Sequence, residues 1–361
     1  RTFQHPIKNI HTPYTMATPI SLKDLTVDNI TENVHVINSQ CSNLRIKYIL
    51  ERTVTHLHDL ARETRLTTDE WMAAIQFLTR VGQISSDVRQ EFILLSDVLG
   101  LSLLVDSIDH PKPKGSTEGT VLGPFHTHEA HDAIAGSLIS HDPDGEPLLV
   151  LCTLKDTNGQ PISGAKIDTW ETDSKGFYDV QHQDRSGPDG RAILTSDEIG
   201  NFWFKAIVPV PYPIPHDGPV GQLLNVLNRH PYRPGHMHFI FKKDGYDPLV
   251  TQVYLNAQTP EYDHKLTCIY SALYLKDDPY ESADAVFGVK DSLVVQIKKV
   301  EDEEMAKKYG VKLRSALLTY DFVLVKEQAA AELRRQKAEE AMAKLGRKIR
   351  FIDDLPVPDV D

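Results

Sequence analysis

Cysteine is scarce in this chain: 361 residues carry three, Cys41, Cys152 and Cys268. So few, so scattered and odd in number, they exclude a disulfide framework and a thiolate zinc cluster, and they point to reduced thiols and a cytoplasmic setting. No apolar run approaches the roughly 20 residues that a membrane-spanning helix needs. Positive charge is in deficit, with 39 Lys and Arg against 51 Asp and Glu and a net charge of −12, which argues against a broad nucleic-acid-binding face. A chain this acidic would need local positive charge to take an anionic substrate, so an arginine or a metal in a pocket gains weight. There is no internal repeat, and no HExxH motif to support a zinc hydrolase. The chain opens on Arg1 rather than Met, so a targeting segment ahead of it would be invisible.

What is present divides the chain by texture. Residues 1–20 are polar, with scattered prolines and no periodicity, and read as an arm. Over 21–110 the pattern is helical. Ile46, Ile49, Leu50, Val54, Leu57, Leu60 and Ala61 recur at spacings of three and four, the mark of one buried helix face. Thr67 with Glu70 fits a capping box opening a second helix, which Gly82 can close. A third helix is expected from Asp87 through "LLSDVLGLSLLVDSI". The Pro- and Gly-rich "HPKPKGSTEGTVLGPF" (110–125) reads as a linker.

From about 148 onward, "LLVLCTL", "AKIDTWE", "NFWFKAIV", "MHFIFKKDG" and "LVTQVYL" read as strands, and Asn158-Gly159 as a hairpin turn. Short strands separated by turn residues predict an antiparallel sandwich or barrel. A charged helix (Glu301 to Tyr309), the strand "ALLTYDFVLV" and an A/E/K/R-rich helix (Lys326 to Leu345) follow. In that last helix acidic and basic residues are intermixed, which reads as a solvated helix packing on its own protein or on a dimer partner. The expected class is α+β: an N-terminal arm (1–20), a helical segment and linker (21–125), an antiparallel-rich β-sandwich (126–325) and a C-terminal helix and tail (326–361).

The stretch "RPGHMHF" (Arg233 to Phe239) holds two histidines one residue apart. On a strand, side chains alternate faces, so His236 and His238 point the same way and form half of a metal site. The bland alternative is a pair of polar residues on a solvated face. Upstream, Tyr178 follows a glycine turn in "SKGFYDVQ", and Tyr212 sits among Pro209, Pro211, Pro213 and Pro215, which stiffen the backbone around it. Taken singly, each tyrosine reads as a core or rim aromatic. Taken together with the histidines they suggest a hard trivalent ion, because a phenol of pKa about 10 becomes a ligand only when a strong Lewis acid removes its proton. Zinc would more commonly be held by Cys, His and carboxylate, and ferrous oxygenases by two His and one carboxylate.

The ordered segments "GFYDVQ", "YPIPHDGPVGQLL", "NRHPYRPGHMHF", "GYDPLVTQVY" and "DDPYESADAVFGVKDSLV", with the linker "TVLGPF", resemble the intradiol ring-cleavage dioxygenases over roughly residues 25–300. Within that family, "YPIPHDGPVGQLL" and "DAVFGVKDSLV" look more like the hydroxyquinol 1,2-dioxygenases than the catechol 1,2-dioxygenases. The resemblance implies that Tyr178, Tyr212, His236 and His238 hold one Fe(III) per subunit, with Tyr212 and His238 axial. It implies that Arg233 stands over the ring and stabilises carbanion-like charge, and that Gln252 lies near the distal oxygen. The leaving ligands, Tyr212 among them, would accept the substrate's protons.

The implied reaction cleaves hydroxyquinol with O₂ between its adjacent hydroxylated carbons, giving 3-hydroxy-cis,cis-muconate (maleylacetate) and consuming no reductant. By the same analogy the substrate wall comprises Leu103, Asp106, Val121, Gly123, Pro124 and Phe125, with Asp106 accepting a hydrogen bond from the third ring hydroxyl. The helical segment is expected to form a homodimer; in some relatives a lipid occupies that interface, and the sequence leaves open whether one does here. A catechol 1,2-dioxygenase and a non-catalytic β-sandwich binding module remain as alternatives. The loop "QHQDRSGPDGRA" looks shorter than in bacterial relatives, and the extension after about 326 has no counterpart there.

Overall fold

A computed structural model describes residues 22, 24–86, 89–184, 187–256, 284–352 and 354–358. The expected arm at 1–20 and Cys268 lie outside them. The helices are α1 (Ile30–Asn38), α2 (Leu44–Thr64), α3 (Thr68–Ile84), α4 (Glu91–Val98), α5 (Leu101–Asp109), α6 (Pro219–Val226), α7 (Glu303–Tyr309) and α8 (Glu327–Lys344). The strands are β1 (Pro147–Asp156), β2 (Lys166–Trp170), β3 (Arg191–Thr195), β4 (Asn201–Ile207), β5 (Tyr212–Pro213), β6 (Tyr232–Arg233) and β7 (His236–Lys242). They continue with β8 (Leu249–Asn256), β9 (Val294–Gln296), β10 (Lys298–Lys299), β11 (Ala316–Leu324), β12 (Ile349–Ile352) and β13 (Leu355–Pro358). The chain divides into two units, Arg1–Ala74 with Ala338–Asp361, and Ile75–Lys337.

In the first unit, Asn43 caps α2 by accepting the Ile46 amide at 3.0 Å, and the helix ends at Arg65 in the left-handed region (φ 53°). Thr67 and Glu70 form the expected capping box: the Glu70 carboxylate accepts the Thr67 amide at 2.9 Å and Thr67 Oγ1 accepts the Glu70 amide at 3.3 Å. The C-terminal tail, for which no element was expected, forms the β12–β13 hairpin. That hairpin belongs with α2, where Arg45 Nη1 donates to the Pro356 carbonyl at 2.6 Å. Arg347 donates to Tyr48 Oη at 2.8 Å. The apolar stripe of α2 was expected to be buried. Instead Ile46, Ile49, Leu50, Leu57 and Leu60 are exposed and no residue of α2 is buried.

In the second unit the predicted third helix is two. Gly100 adopts φ 73° and separates α4 from α5, so the two helices present different faces. Gly82 does not close α3, which continues to Ile84. The strands form a four-stranded sheet in the order β10-β11-β1-β4 and a five-stranded sheet in the order β3-β2-β7-β8-β9. Two pairings are parallel, β1 with β11 and β8 with β9. The Asn158-Gly159 turn forms, with Gly159 at φ 76° and the Asp156 amide donating to the Gln160 carbonyl at 2.8 Å. It closes only the Lys155–Pro161 bridge, however, not a hairpin. Both edges of β1 are already filled by β11 and β4, so the chain crosses to the other sheet as β2.

The two sheets bury one core between them. Val150, Phe204 and Phe322 of the first meet Met237, Phe239 and Phe241 of the second. The Phe322 ring lies 4.5 Å from that of Phe241 and 5.0 Å from that of Phe239. At about 25 cal/mol per Å² of apolar area removed from water, a buried phenylalanine of this kind stabilises by roughly 2–3 kcal/mol. The core fixes the phase of β7, and the phase of β7 positions the site. Cys152 is buried in this core, where desolvation raises its thiol pKa, and Cys41 is a free half-buried thiol. Among the described residues no helix is long and apolar enough to cross a membrane.

Candidate active site

Because Met237, Phe239 and Phe241 face the core, His236 and His238 face the opposite side of the five-stranded sheet. Register supplies their neighbours on that face. His238 pairs with Trp170 of β2 on one side and with Gln252 of β8 on the other, and His236 pairs with Tyr254. The Trp170 ring stacks on His238 at 4.5 Å and 4°. Tyr212 and Arg233 arrive together, paired across the β5–β6 ladder. Tyr178 precedes a short 3-10 turn closed on both sides, its amide donating to Gln181 Oε1 at 2.8 Å and its carbonyl accepting the Gln181 amide at 2.9 Å. Phe125, Trp170, Tyr178, Tyr212 and Ile240 form the apolar lining.

Four donor side chains converge here, each at most 3 % exposed. His236 Nε2 lies 3.1 Å from His238 Nε2, Tyr178 Oη lies 3.3 Å from Tyr212 Oη, and Tyr178 Oη lies 3.5 Å from His236 Nε2. His236 Nδ1 sits 2.8 Å from the Pro234 carbonyl, which can only accept, so the proton is on Nδ1 and the Nε2 lone pair faces the cluster. Burial, and then the positive charge of Arg233, hold the His236 imidazole well below its usual pKa. Burial, and then the neighbouring His236, do the same for His238, so both rings are neutral. Burial, followed by proximity to Tyr212, pushes the Tyr178 phenol well above its ordinary value. His238 Nδ1 has no hydrogen-bond partner.

Two neutral imidazole nitrogens this close, with two phenols beside them, suit a shared cation. Ligands about 2 Å from one ion stand about 3 Å apart. Two imidazoles with two phenols are a donor set that could hold a hard, strongly acidic cation.

Arg233 is enclosed beside the four donors. Its side chain is 2 % exposed, and its Nε donates to Asp284 Oδ1 at 3.1 Å. Nη2 donates to Gln252 Oε1 at 3.0 Å and Tyr254 Oη at 3.2 Å, while Nη1 reaches His236 Nε2 at 3.1 Å and Tyr212 Oη at 3.4 Å. Burial works against the guanidinium charge, but Asp284 and the tyrosines around it hold the proton firmly. Asp284 is itself fixed by the Gly288 amide at 2.9 Å. A Cβ on Gly288 would come within 2.4 Å of Tyr254 Oη, so the glycine lets this segment close over Arg233. Sequence reading named Arg233 and Gln252 but missed Tyr254 and Asp284.

The expected wall residues separate into two groups. Phe125 stacks on Tyr178 at 4.7 Å. Gly123, at φ 75°, brings the linker backbone close enough that a Cβ there would lie 3.6 Å from the His238 ring, and half-buried Pro124 joins the two. The Val121 carbonyl accepts Gln252 Nε2 at 3.5 Å, and Leu103 packs on the small core that includes Val121 and Leu94. Asp106 is placed elsewhere. It lines a cavity of about 550 Å³ with His110, Lys112, Gly119 and Lys290, to which none of the four donors contributes. Burial raises its pKa, and the charges acting on it are those of His110, Lys290, Lys112 and Asp109.

Besides Asp284, a second buried carboxyl under the charge of Arg233 is Asp97 on α4, missed in the sequence. Burial pushes its pKa up to about 6, with Ser102 and the charge of Arg233 pulling downward and Asp284 pushing upward. The bend at Gly100 separates the helices that carry Asp97 and Asp106 and gives the two carboxyls different surroundings. A lone acid inside the apolar run "EFILLSDVLG" was the available signal.

Comparison with known proteins agrees in family and extent. A family model described as "Catechol dioxygenase N terminus" matches residues 43–117, and one described as "Dioxygenase" matches 121–326. The chain is 65 % identical over 340 residues to the intradiol ring-cleavage dioxygenase hqdA of Aspergillus niger, covering 94 % of this chain and 97 % of that one. It is 45 % identical over 272 residues to a hydroxyquinol 1,2-dioxygenase of a Rhizobium species, covering 75 % and 85 %. A solved hydroxyquinol 1,2-dioxygenase from Pseudomonas putida superposes with TM-score 0.72 at 38 % identity, over 83 % of this chain and 99 % of that one.

Proposed function

The chain belongs to the intradiol ring-cleavage dioxygenases, and on that premise we propose that it uses Fe(III) and O₂ to open hydroxyquinol between its adjacent hydroxylated carbons, giving 3-hydroxy-cis,cis-muconate. The observation that carries this reading is the convergence of two neutral imidazoles and two phenols in one buried cluster. Tyr178, Tyr212, His236 and His238 would hold one Fe(III) per subunit. Iron bound there would supply the Lewis acidity that makes both phenols phenolates and binds the diol as a dianion open to attack by O₂.

The chain's own groups then have definite tasks. Tyr212 would accept a proton from one substrate hydroxyl on its phenolate oxygen, becoming the neutral phenol. Arg233 gives up its hydrogen bonds to His236 Nε2 and Tyr212 Oη and turns that charge toward the ring, where negative charge develops. Asp284, Tyr254 and Gln252 keep the guanidinium oriented while this happens. Leu103, Val121, Gly123, Pro124 and Phe125 wall the ring and exclude water. Asp97 takes the part first expected of Asp106: this buried carboxyl, under the charge of Arg233, accepts a hydrogen bond from the third hydroxyl, and it would be left unpaired by catechol. In this reading the two-sheet unit is the catalytic β-sandwich, and the exposed stripe of α2 packs on a second copy in a homodimer.

Oxygen uptake by the iron-loaded protein, with hydroxyquinol and catechol measured in parallel, tests the proposal. Faster uptake with hydroxyquinol, beyond its autoxidation, is the expected result. Faster uptake with catechol keeps the chemistry and overturns the substrate. A colourless protein, inert with both after reconstitution, overturns the iron reading.

A further inference from the structure

Arg191 on β3 is one of the most buried cations among the described residues, with 2 % of its side chain exposed. The mechanism above does not use it. Its guanidinium pairs with Asp179, the residue that follows Tyr178. Nε donates to Asp179 Oδ2 at 2.8 Å and Nη2 to Oδ1. The remaining acceptor capacity of Asp179 is met by the amides of Val180, at 2.8 Å, and Asp189, at 3.2 Å. On its other edge the same guanidinium holds the linker: Nη1 and Nη2 donate to the Phe125 carbonyl at 3.5 and 3.4 Å, and Nη1 donates to Thr127 Oγ1 at 3.2 Å. Phe125 and Tyr178 are the two rings that stack, at 4.7 Å and 23°. Arg191 also pairs with Trp170 across the β2–β3 ladder, and Trp170 stacks on His238.

We infer that Arg191 is a positioning residue that, through Asp179 on one edge and the Phe125 carbonyl and Thr127 on the other, locks the Phe125 ring against the Tyr178 phenol and so sets ligand and pocket wall together. A planar fork with five donors can bind a carboxylate on one edge and a carbonyl on the other at fixed separation; a lysine, with one compact charge, cannot. The inference rests on the reading of Tyr178 as an iron ligand and deepens it.

The test uses the full chain with ¹³C-labelled Phe and Tyr rings. In the iron-free protein a ring–ring NOE between Phe125 and Tyr178 is expected, assigned by its loss in Phe125→Leu. Arg191→Lys should weaken that NOE. In the iron-loaded protein it should also shift the tyrosinate-to-Fe(III) absorption band in the direction seen for Phe125→Leu and raise KM for the diol about tenfold with a smaller change in kcat. An Arg191→Lys protein that loses thermal stability while its NOE, band and KM stay those of the wild type would make the pair merely structural and overturn the inference. Should Arg191→Lys not fold, Thr127→Ala removes one of the linker contacts and must move the same readouts less far in the same direction; no movement overturns the inference. A wild-type protein with the NOE but no band on iron loading sinks the ligand reading alone, and the NOE comparison still decides the inference.

Discussion

Two polar pockets of the same unit differ in how their groups are satisfied. In the cavity around Asp106 two of the three lysines are already taken: Lys112 Nζ meets Asp247 at 2.7 Å, and Lys290 Nζ donates to the Gly119 carbonyl at 2.8 Å with Glu118 at 3.7 Å. Among the four donors, by contrast, two imidazole nitrogens lie 3.1 Å apart and two phenols meet at 3.3 Å, with burial suppressing charge on both imidazoles and on Tyr178. The more charged of the two is the one where lysines are already held by acceptors. The contrast teaches that a chemical site is marked by buried, uncharged donor atoms converging on one point, more than by charge.

The largest expected break in that contrast is His238→Ala. Losing a direct ligand should cost more than the 10–100-fold typical of outer-shell partners, so iron content and kcat should both fall by more than about 100-fold. Near-stoichiometric iron in the purified variant would contradict the assignment. Next is Asp284→Asn, which leaves the Arg233 guanidinium buried without its counterion. Urea titration should show a loss of about 3–5 kcal/mol, with oxygen uptake falling as well. Unchanged stability would mean that Arg233 relaxes to another partner.

Asp97→Asn sharpens the substrate side, and kcat/KM should fall about tenfold for hydroxyquinol and much less for catechol. Equal losses would remove Asp97 from recognition.

The cavity should respond to pH rather than to substrate. Burial alone would raise the Asp247 pKa, but the contact with His110 and the Lys112 hydrogen bond outweigh it and bring it to about 2, below the usual carboxylate value of 3.8. A depressed folded-state pKa gives stability that is present above the unfolded value and is lost as pH falls through the folded one. Tm should therefore drop between pH about 4 and about 2, and Asp247→Asn should flatten that slope. A slope that is unchanged would assign the acid sensitivity to other carboxylates. Smallest of all is Asp106→Ala, expected to change stability by no more than about 0.5 kcal/mol and to leave the hydroxyquinol-to-catechol ratio of kcat/KM where it was. A selective loss on hydroxyquinol would return recognition to Asp106 and undo the contrast.

What the sequence determined by itself was local or ordered along the chain. The capping box at Thr67 and Glu70 is a four-residue event. The shared face of His236 and His238 follows from strand alternation once the strand is granted. The ordered motifs carried the four donors and Arg233 by resemblance. Only tertiary structure could decide the rest, because it depends on contacts between residues far apart in the chain. The Asn158-Gly159 turn leads to no hairpin since both edges of β1 are occupied by strands that come later. Asp97 and Asp106 lie on helices that Gly100 separates, the first under the charge of Arg233 and the second under those of His110, Lys290 and Lys112. Asp284 and Tyr254 hold Arg233 across 51 and 21 residues, and Arg191 reaches Phe125 across 66. A buried guanidinium recruits whichever acceptors the packed chain brings within about 3 Å, and sequence spacing carries no record of that choice.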